Sequence, residues 1–256
     1  MVIPLKFARA IEQAGIRSHV VNVSNPEIVN AILGRLGIEP ICGSGNSENL
    51  HTVLRYVAAR MLDARHERIL VRMIAHHNHV AELDNPALME EAPFWYAVEL
   101  DGRDVTADLD DRGFLDAVRK ACPHNRAMCG ASSSVKNVLR LLDTDTFLTY
   151  CSSPLGRAGG RDVRMSKAGL EIVLPAGMSE EKADAIIDAA QRREGIESIG
   201  AEGEVEFVGS TAAALAEWLG YDCKVLYPDE AEERAYELLR KIDAFCERGF
   251  TPAKAG

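Results

Sequence analysis

The sequence predicts an α/β protein in which a parallel strand pair, joined through a helix, precedes a longer mixed α+β body. Three observations carry this prediction. His19-Val-Val-Asn-Val-Ser24 is a β-branched, apolar run of the kind that forms a buried strand. Ile28, Val29, Ile32, Leu33 and Leu36 then recur at helical spacing before a short segment, Glu39-Pro-Ile-Cys42, so strand, helix and strand follow in the order of a crossover. Further on, apolar segments alternate with turn signals such as Asp101-Gly102, which indicates hairpins.

The elements can be justified in order. Phe7 to Ala14 reads as a helix stopped at Gly15. After the first strand, Asn25-Pro26 offers an N-cap and a first-turn proline for the helix that ends at Gly37. Gly43-Ser-Gly45 opens a long helix, Ser47 to about Arg65, with Leu50, Val53, Leu54, Val57, Met61 and Leu62 as its apolar stripe. Ile69–Ile74 is a strand that runs into Ala75-His-His-Asn-His-Val80. A polar stretch with Asp84-Asn-Pro86 follows, then a hairpin strand Phe94–Leu100. Helices are expected near Gly113–Ala121 and Ala131–Leu142, the second with Val135, Val138, Leu139 and Leu142 on one face. Thr146–Cys151 and Leu170–Leu174 read as paired strands separated by the glycine-rich Leu155–Gly160. Ser179 caps a helix with Glu180 and Glu181 in its first turn, closing at Gly195. Strand Val205–Val208, helix Thr211–Leu219, strand Cys223–Leu226 and a terminal helix opened by the capping box Asp229-x-x-Glu232 complete the chain, with Thr251–Gly256 a frayed tail.

Composition narrows the function. In 256 residues, 29 Lys+Arg face 39 Asp+Glu, a net charge of −10. That balance disfavours nucleic acid or an anionic membrane as partner, since both would repel it. No apolar run approaches the roughly 20 residues of a membrane span, and the opening residues lack the pattern of a secretory signal. Six cysteines, Cys42, Cys122, Cys129, Cys151, Cys223 and Cys246, are scattered without paired spacing. They read as reduced thiols of a cytoplasmic protein without a structural zinc site.

The most chemically loaded stretch is His76-His77-x-His79 at a strand end. On an extended chain His77 and His79 share a side and His76 points away. A neutral imidazole there can act as acid/base near neutral pH or ligate a metal; surface histidines and one bonded to a backbone carbonyl are the structural alternative. No G-x-G-x-x-G follows an early strand and no Walker loop occurs. Gly156–Gly160 has no helical pattern behind it to cradle a phosphate.

The order of the motifs adds a resemblance. Val23-Ser-Asn-Pro26, then Gly43-Ser-Gly-Asn46 opening a helix, then a strand ending in a histidine, then the run Gly159-Gly-Arg-Asp-Val-Arg-Met-Ser-Lys-Ala-Gly-Leu-Glu-Ile-Val-Leu-Pro175 with Met178-Ser-Glu-Glu-Lys-Ala183 resemble the lactate/malate dehydrogenase family over about residues 3–196. The resemblance implies a remnant of a Rossmann-type parallel sheet (1–45) and an α+β substrate-type domain (46–256), with an extra segment from about 200. It implies a dehydrogenase-like oxidoreductase acting on a small hydroxy or oxo acid with NAD or NADP. That family's nucleotide-binding half would lie before Met1, which points to a truncated product, a companion chain or homo-oligomer, or a function without the cofactor.

Carried over by position, His77 becomes the proton-transfer residue and Asn25 the nicotinamide-side contact. The carboxylate that should orient the histidine falls on Asn49, and the substrate-binding arginine on Thr52, with Arg55 the nearby cationic substitute. Ser133 lies where the family's helix brings a small polar residue to the pocket. Two other functions remain open: a non-catalytic assembly module of the same fold, and an NAD- and metal-dependent family-4 glycosidase, for which Cys42 and Asn78-His79 would supply metal ligands. In the dehydrogenase reading no metal is expected.

Overall fold

The computed structural model describes residues 1–38, 40–83, 85, 90–121 and 126–247. The turn expected at Asp84-Asn-Pro86, Glu39 of the second extended segment, Cys122 and the tail from Thr251 fall at least partly outside these residues, as does the side chain of Cys129. The α/β class holds: one small parallel sheet accompanies three antiparallel ones.

Helix α1 (Val2–Gln13) begins ahead of the expected Phe7. Pro4 falls in its first turn, where no intrahelical N–H bond is lost. Strands β1 (Val21–Asn22) and β2 (Cys42–Gly43) pair in parallel, Val21 opposite Cys42, with α2 (Ile28–Arg35) as the crossover. The expected six-residue strand shrinks to two because Asn22 Oδ1 accepts the Ser24 N–H at 3.1 Å and turns the chain. Asn25-Pro26 does not open α2: its peptide is cis, and Glu27 stands at the helix cap.

The main core lies between α3 (Asn46–Met61) and an antiparallel sheet of β3 (Ile69–Ile74), β4 (Trp95–Leu100) and β5 (Arg103–Asp104). Leu50, Leu54, Val71, Met73, Val98, Leu109 and Phe114 are buried there, the last two from α5 (Thr106–Asp110) and α6 (Phe114–Ala121). The β4–β5 turn has positive φ at Asp101 and Gly102, which is what an Asp-Gly hairpin requires.

A short helix, α4 (His77–Glu82), replaces the extended histidine segment. His76 caps it: its Nδ1 accepts the Asn78 N–H, while His79 Nδ1 accepts the His76 N–H at 2.9 Å. Helical geometry separates His77 from His79, so the shared side expected for an extended chain does not occur.

Helix α7 (Arg126–Leu142) and strands β6 (Phe147–Ser152), β7 (Gly160–Ser166) and β8 (Gly169–Ile172) form the next layer. β7 stands between β6 and β8, so Thr146–Cys151 and Leu170–Leu174 do not pair with each other as expected. The sequence disguises β7 because its interior positions include Arg161 and Asp162, buried against Asp184 and Arg72. On α7, Val135, Val138, Leu139 and Leu142 do share a face, but it is the exposed one. The inward face uses Asn137 and Lys136, both bonded to the buried Glu48 of α3.

One antiparallel bridge, Ala75 to Gly160, links the end of β3 to the start of β7. The Gly160 N–H reaches the Ala75 carbonyl at 2.8 Å, and the reverse bond measures 3.4 Å. Only glycine fits: a Cβ at 160 would stand 1.9 Å from the Tyr150 hydroxyl.

The chain closes with α8 (Glu180–Arg193), capped by Ser179 as expected, a sheet of β9 (Ile196–Ile199), β10 (Val205–Phe207) and β11 (Val225–Leu226), α9 (Gly209–Leu219) and α10 (Ala231–Glu247). The residues of the expected capping box turn to α1 instead, Asp229 to Arg9 and Glu232 to Lys6. No described helix is long and apolar enough to cross a membrane. Cys42, Cys151, Cys223 and Cys246 are free thiols.

Candidate active site

His77, at the first turn of α4, enters a cleft of about 370 Å³. Asn25 and Glu27 line one wall, Ser44 and Gly45 the next, and Gly130, Ala131 and Ser134 of α7 the third. The resemblance paired His77 with Asn25, and the structure brings both to this one cleft.

The orienting group is not Asn49. His77 Nε2 lies 2.6 Å from Glu194 Oε1, at the end of α8, and Nδ1 faces Glu27 Oε2 at 3.8 Å. Asn49 is buried on α3, which supplies no carboxylate to His77 because its Glu48 turns to Lys136 and Asn137. Thr52 donates to its own helix, at Glu48 O, 2.9 Å away. Arg55 is spent on the His66 carbonyl, with bonds of 3.0 and 2.6 Å. Neither lines the cleft. Ser133 sits one layer behind it, bonded to Ser44, while its neighbour Ser134 does line it.

Two carboxylates around one imidazole set its charge. Burial disfavours the imidazolium of His77, yet the Glu194 hydrogen bond and the Glu27 and Glu194 charges outweigh it, so its pKa is raised. Glu27 is 7% exposed. Burial pushes its carboxyl up to about 7, against the pull of His77 and of the Ser153 hydroxyl that donates to Oε1 at 3.1 Å. Glu27 Oε2, His77 Nδ1 and Glu194 Oε2 are buried and lack a hydrogen-bond partner. A polar group of a bound molecule would satisfy them.

His79 is structural. His79 donates from Nε2 to Ala92 O at 2.9 Å and accepts at Nδ1, so no nitrogen is left for a metal. Burial lowers its pKa to about 4. Cys42 lies in a separate cluster with Cys151, Val163 and Met165, so the ligand set Cys42 with Asn78-His79 is not assembled. His76, His77 and Glu194 bring ligand-type atoms within 4.8 Å of one another, a grouping the sequence did not suggest. His76 Nδ1 accepts a backbone N–H, which leaves its proton on Nε2, directed at Glu194 3.9 Å away. That tautomer opposes metal ligation.

A nicotinamide cofactor fits only in part. Asn25 can bond a carboxamide, and Gly43–Gly45 before α3 is a glycine turn opening a helix. However, Glu27 Oε2 stands 4.0 Å from where a Gly45 Cβ would be, and Glu48 occupies the first helical turn. A pyrophosphate there would meet the Glu27 carboxylate, and no Lys or Arg lines the described cleft to offset it, so the described residues do not fit a whole dinucleotide.

Comparison with solved structures decides the fold type. A lactate dehydrogenase from a Medee basin deep-sea metagenome library matches 73% of this chain with a TM-score of 0.50 and 12% identity. The fold is lactate/malate dehydrogenase-like. The malate dehydrogenase of Aeropyrum pernix (TM-score 0.49, 12% identity, 73% of this chain) and the 6-phospho-beta glucosidase of Thermotoga maritima (0.47, 10%, 89%) are similar at a lower level. The chain spans 66% of the malate dehydrogenase and 64% of the lactate dehydrogenase, just under two thirds. No protein-family model and no curated protein matches it. Identity this low carries the dehydrogenase-like fold and no residue role.

Sequence reasoning located His77 and Asn25 but missed Glu27, Asn30, Ser44, Ser134 and Glu194. Glu27 follows Asn-Pro and reads as a helix-opening residue. Glu194 is 117 residues from its partner, with no local signal linking the two.

Proposed function

We propose that this chain is the substrate-side lobe of a dehydrogenase-like oxidoreductase, with His77 transferring the proton of a substrate hydroxyl. The observation that supports the reading most is the attachment of His77, which lines the cleft: Nε2 is held by Glu194 while Nδ1 faces Glu27 and has no hydrogen-bond partner. In oxidation, a substrate hydroxyl would give its proton to Nδ1, with Glu194 stabilising the imidazolium, while the hydride from its carbon would require the nicotinamide that the resemblance implies as acceptor, and the same group as donor in reverse. In reduction, the same nitrogen returns the proton to a carbonyl oxygen. The substrate is a small hydroxy or oxo compound. Its acid end, implied by the resemblance, lacks support, because Arg55 is engaged elsewhere and the described cleft presents the Glu27 carboxylate. The nicotinamide implied by the resemblance would depend on residues beyond the described cleft or on a companion chain.

The test is His77→Gln. Turnover should fall by about 100-fold or more, with the unfolding free energy changed by under about 1 kcal/mol. A variant that keeps its activity, or loses its fold, removes the proposal.

A second reading, a non-catalytic assembly module, draws on the exposed apolar face of α7, where Leu139 is 60% and Leu142 69% exposed. Titration with NADH separates the two: saturable binding favours the oxidoreductase, and a well-folded chain that binds none while associating with itself or another protein favours the module.

A further inference from the structure

We infer that the cleft takes a substrate carrying an ammonium group on the carbon next to its hydroxyl, a vicinal amino alcohol, with the ammonium on Glu27 and the hydroxyl on His77 Nδ1. This rests on the proton-transfer role proposed for His77 and adds the substrate class. The carrying observation is the Glu27 side chain: 7% exposed, lining the cleft, with Oε1 bonded to Ser153 and Oε2 buried without a partner. A carboxylate oxygen in that state is costly unless a donor, best a cation, meets it. Glu194 Oε2, on the other side of His77, also lacks a hydrogen-bond partner, so among the described residues two carboxyl groups flank the one imidazole.

The spacing suits one ligand spanning both groups. Glu27 Oε2 and His77 Nδ1 are 3.8 Å apart, and the nitrogen and oxygen of a two-carbon amino alcohol are separated by roughly 3–4 Å. Among the described residues, the cations Lys136 and Arg193 are committed elsewhere, to Glu48 and Glu91. Binding also prepares the reaction. An ammonium beside Glu27 cancels part of the charge that keeps His77 protonated, freeing Nδ1 to accept the hydroxyl proton. Asn25 and Ser44 are left as hydrogen-bonding groups for the rest of the molecule.

The test is calorimetric titration of the full chain at about pH 8, above the Glu27 pKa, with three probes of like size: ethanolamine, ethylene glycol and glycolate. Ethanolamine should bind at least about tenfold more tightly than ethylene glycol, with glycolate weakest. Glu27→Gln keeps the volume, removes the charge and should abolish the ethanolamine preference while the thermal unfolding midpoint is kept or raised. Glycolate binding as tightly as ethanolamine, a preference unchanged in Glu27→Gln, or no binding of any probe each overturns the inference. Because the measurement involves no turnover, its failure leaves the His77 proposal intact. Conversely, an active His77→Gln variant that still prefers ethanolamine would remove that proposal and leave the ammonium site.

Discussion

Glu27 keeps an ionisable group where burial works against its charge. Its folded pKa, about 7, lies above the ordinary 4.5, so the folded protein holds this proton longer than the unfolded chain does. Stability therefore falls as pH rises from about 4.5 to 7, by up to about 3 kcal/mol from this residue alone. Glu27→Gln should be about 2–3 kcal/mol more stable than wild type in urea at pH 8 and indistinguishable from it near pH 4. Equal stabilities at pH 8 would show that the charge is already compensated. A residue that lowers stability and lines a cleft is best explained by what it binds. At this scale the sequence displayed His77, because a histidine closing an apolar strand stands out. The carboxylates that flank it were hidden: each sits at a helix end, where acidic residues are common for reasons of capping and solubility.

The elements were legible where hydrophobic periodicity was clean. β3 was read to the residue as Ile69–Ile74, and the Asp101-Gly102 hairpin formed as its turn chemistry requires. β7 escaped because buried arginine and aspartate break the apolar signature, and α4 escaped because three histidines in four residues carry little helical signal. Both errors touch the active site, since the contact of β7 with Ala75 precedes the turn into α4. Gly160→Ala tests that connection. Its Cβ would overlap the Tyr150 hydroxyl, which donates to the Ala75 carbonyl at 3.3 Å. The expected loss is about 1–3 kcal/mol of stability, with the His77 imidazole resonances displaced in a proton NMR spectrum. Unchanged His77 resonances would separate the bridge from the site.

For the whole molecule, the fold class was readable because crossover order and hairpin signals survive at any identity. The cleft was not, since it is assembled from the loop after β1, α2, the turn before α3, α4 and α7, with His77 held by Glu194 at the end of α8. The buried ionisable groups predict the pH response of the molecule. His51 and His79 are lowered to about 3 and 4 by burial, and His76 is lowered too, so these three stay neutral in the fold and oppose it as pH drops below about 6.5. Glu27 and Asp162, the latter also raised to about 7 by burial despite Arg72, act in the opposite direction up to that pH. The raised pKa of His77 adds stability that is present below 6.5 and lost as pH rises through its folded value. Among these described groups, three histidines outweigh two carboxylates on the acid side, and above it the carboxylates and His77 outweigh the Met1 amine, which burial lowers. Thermal unfolding followed from pH 4 to 9 should therefore show its highest midpoint near about pH 6.5. A midpoint still rising at pH 8 would contradict the burial of these groups.

The bridge between Ala75 and Gly160 is one residue pair wide, yet together with the buried Arg72–Asp162 pair it ties the strand leading to His77 to the neighbouring sheet. In deuterium-exchange terms, the Gly160 amide reports on His77 without touching it. Whatever lets that proton escape also releases the backbone that aims the imidazole, so its exchange rate sets a lower limit on how often the cleft loses its working shape.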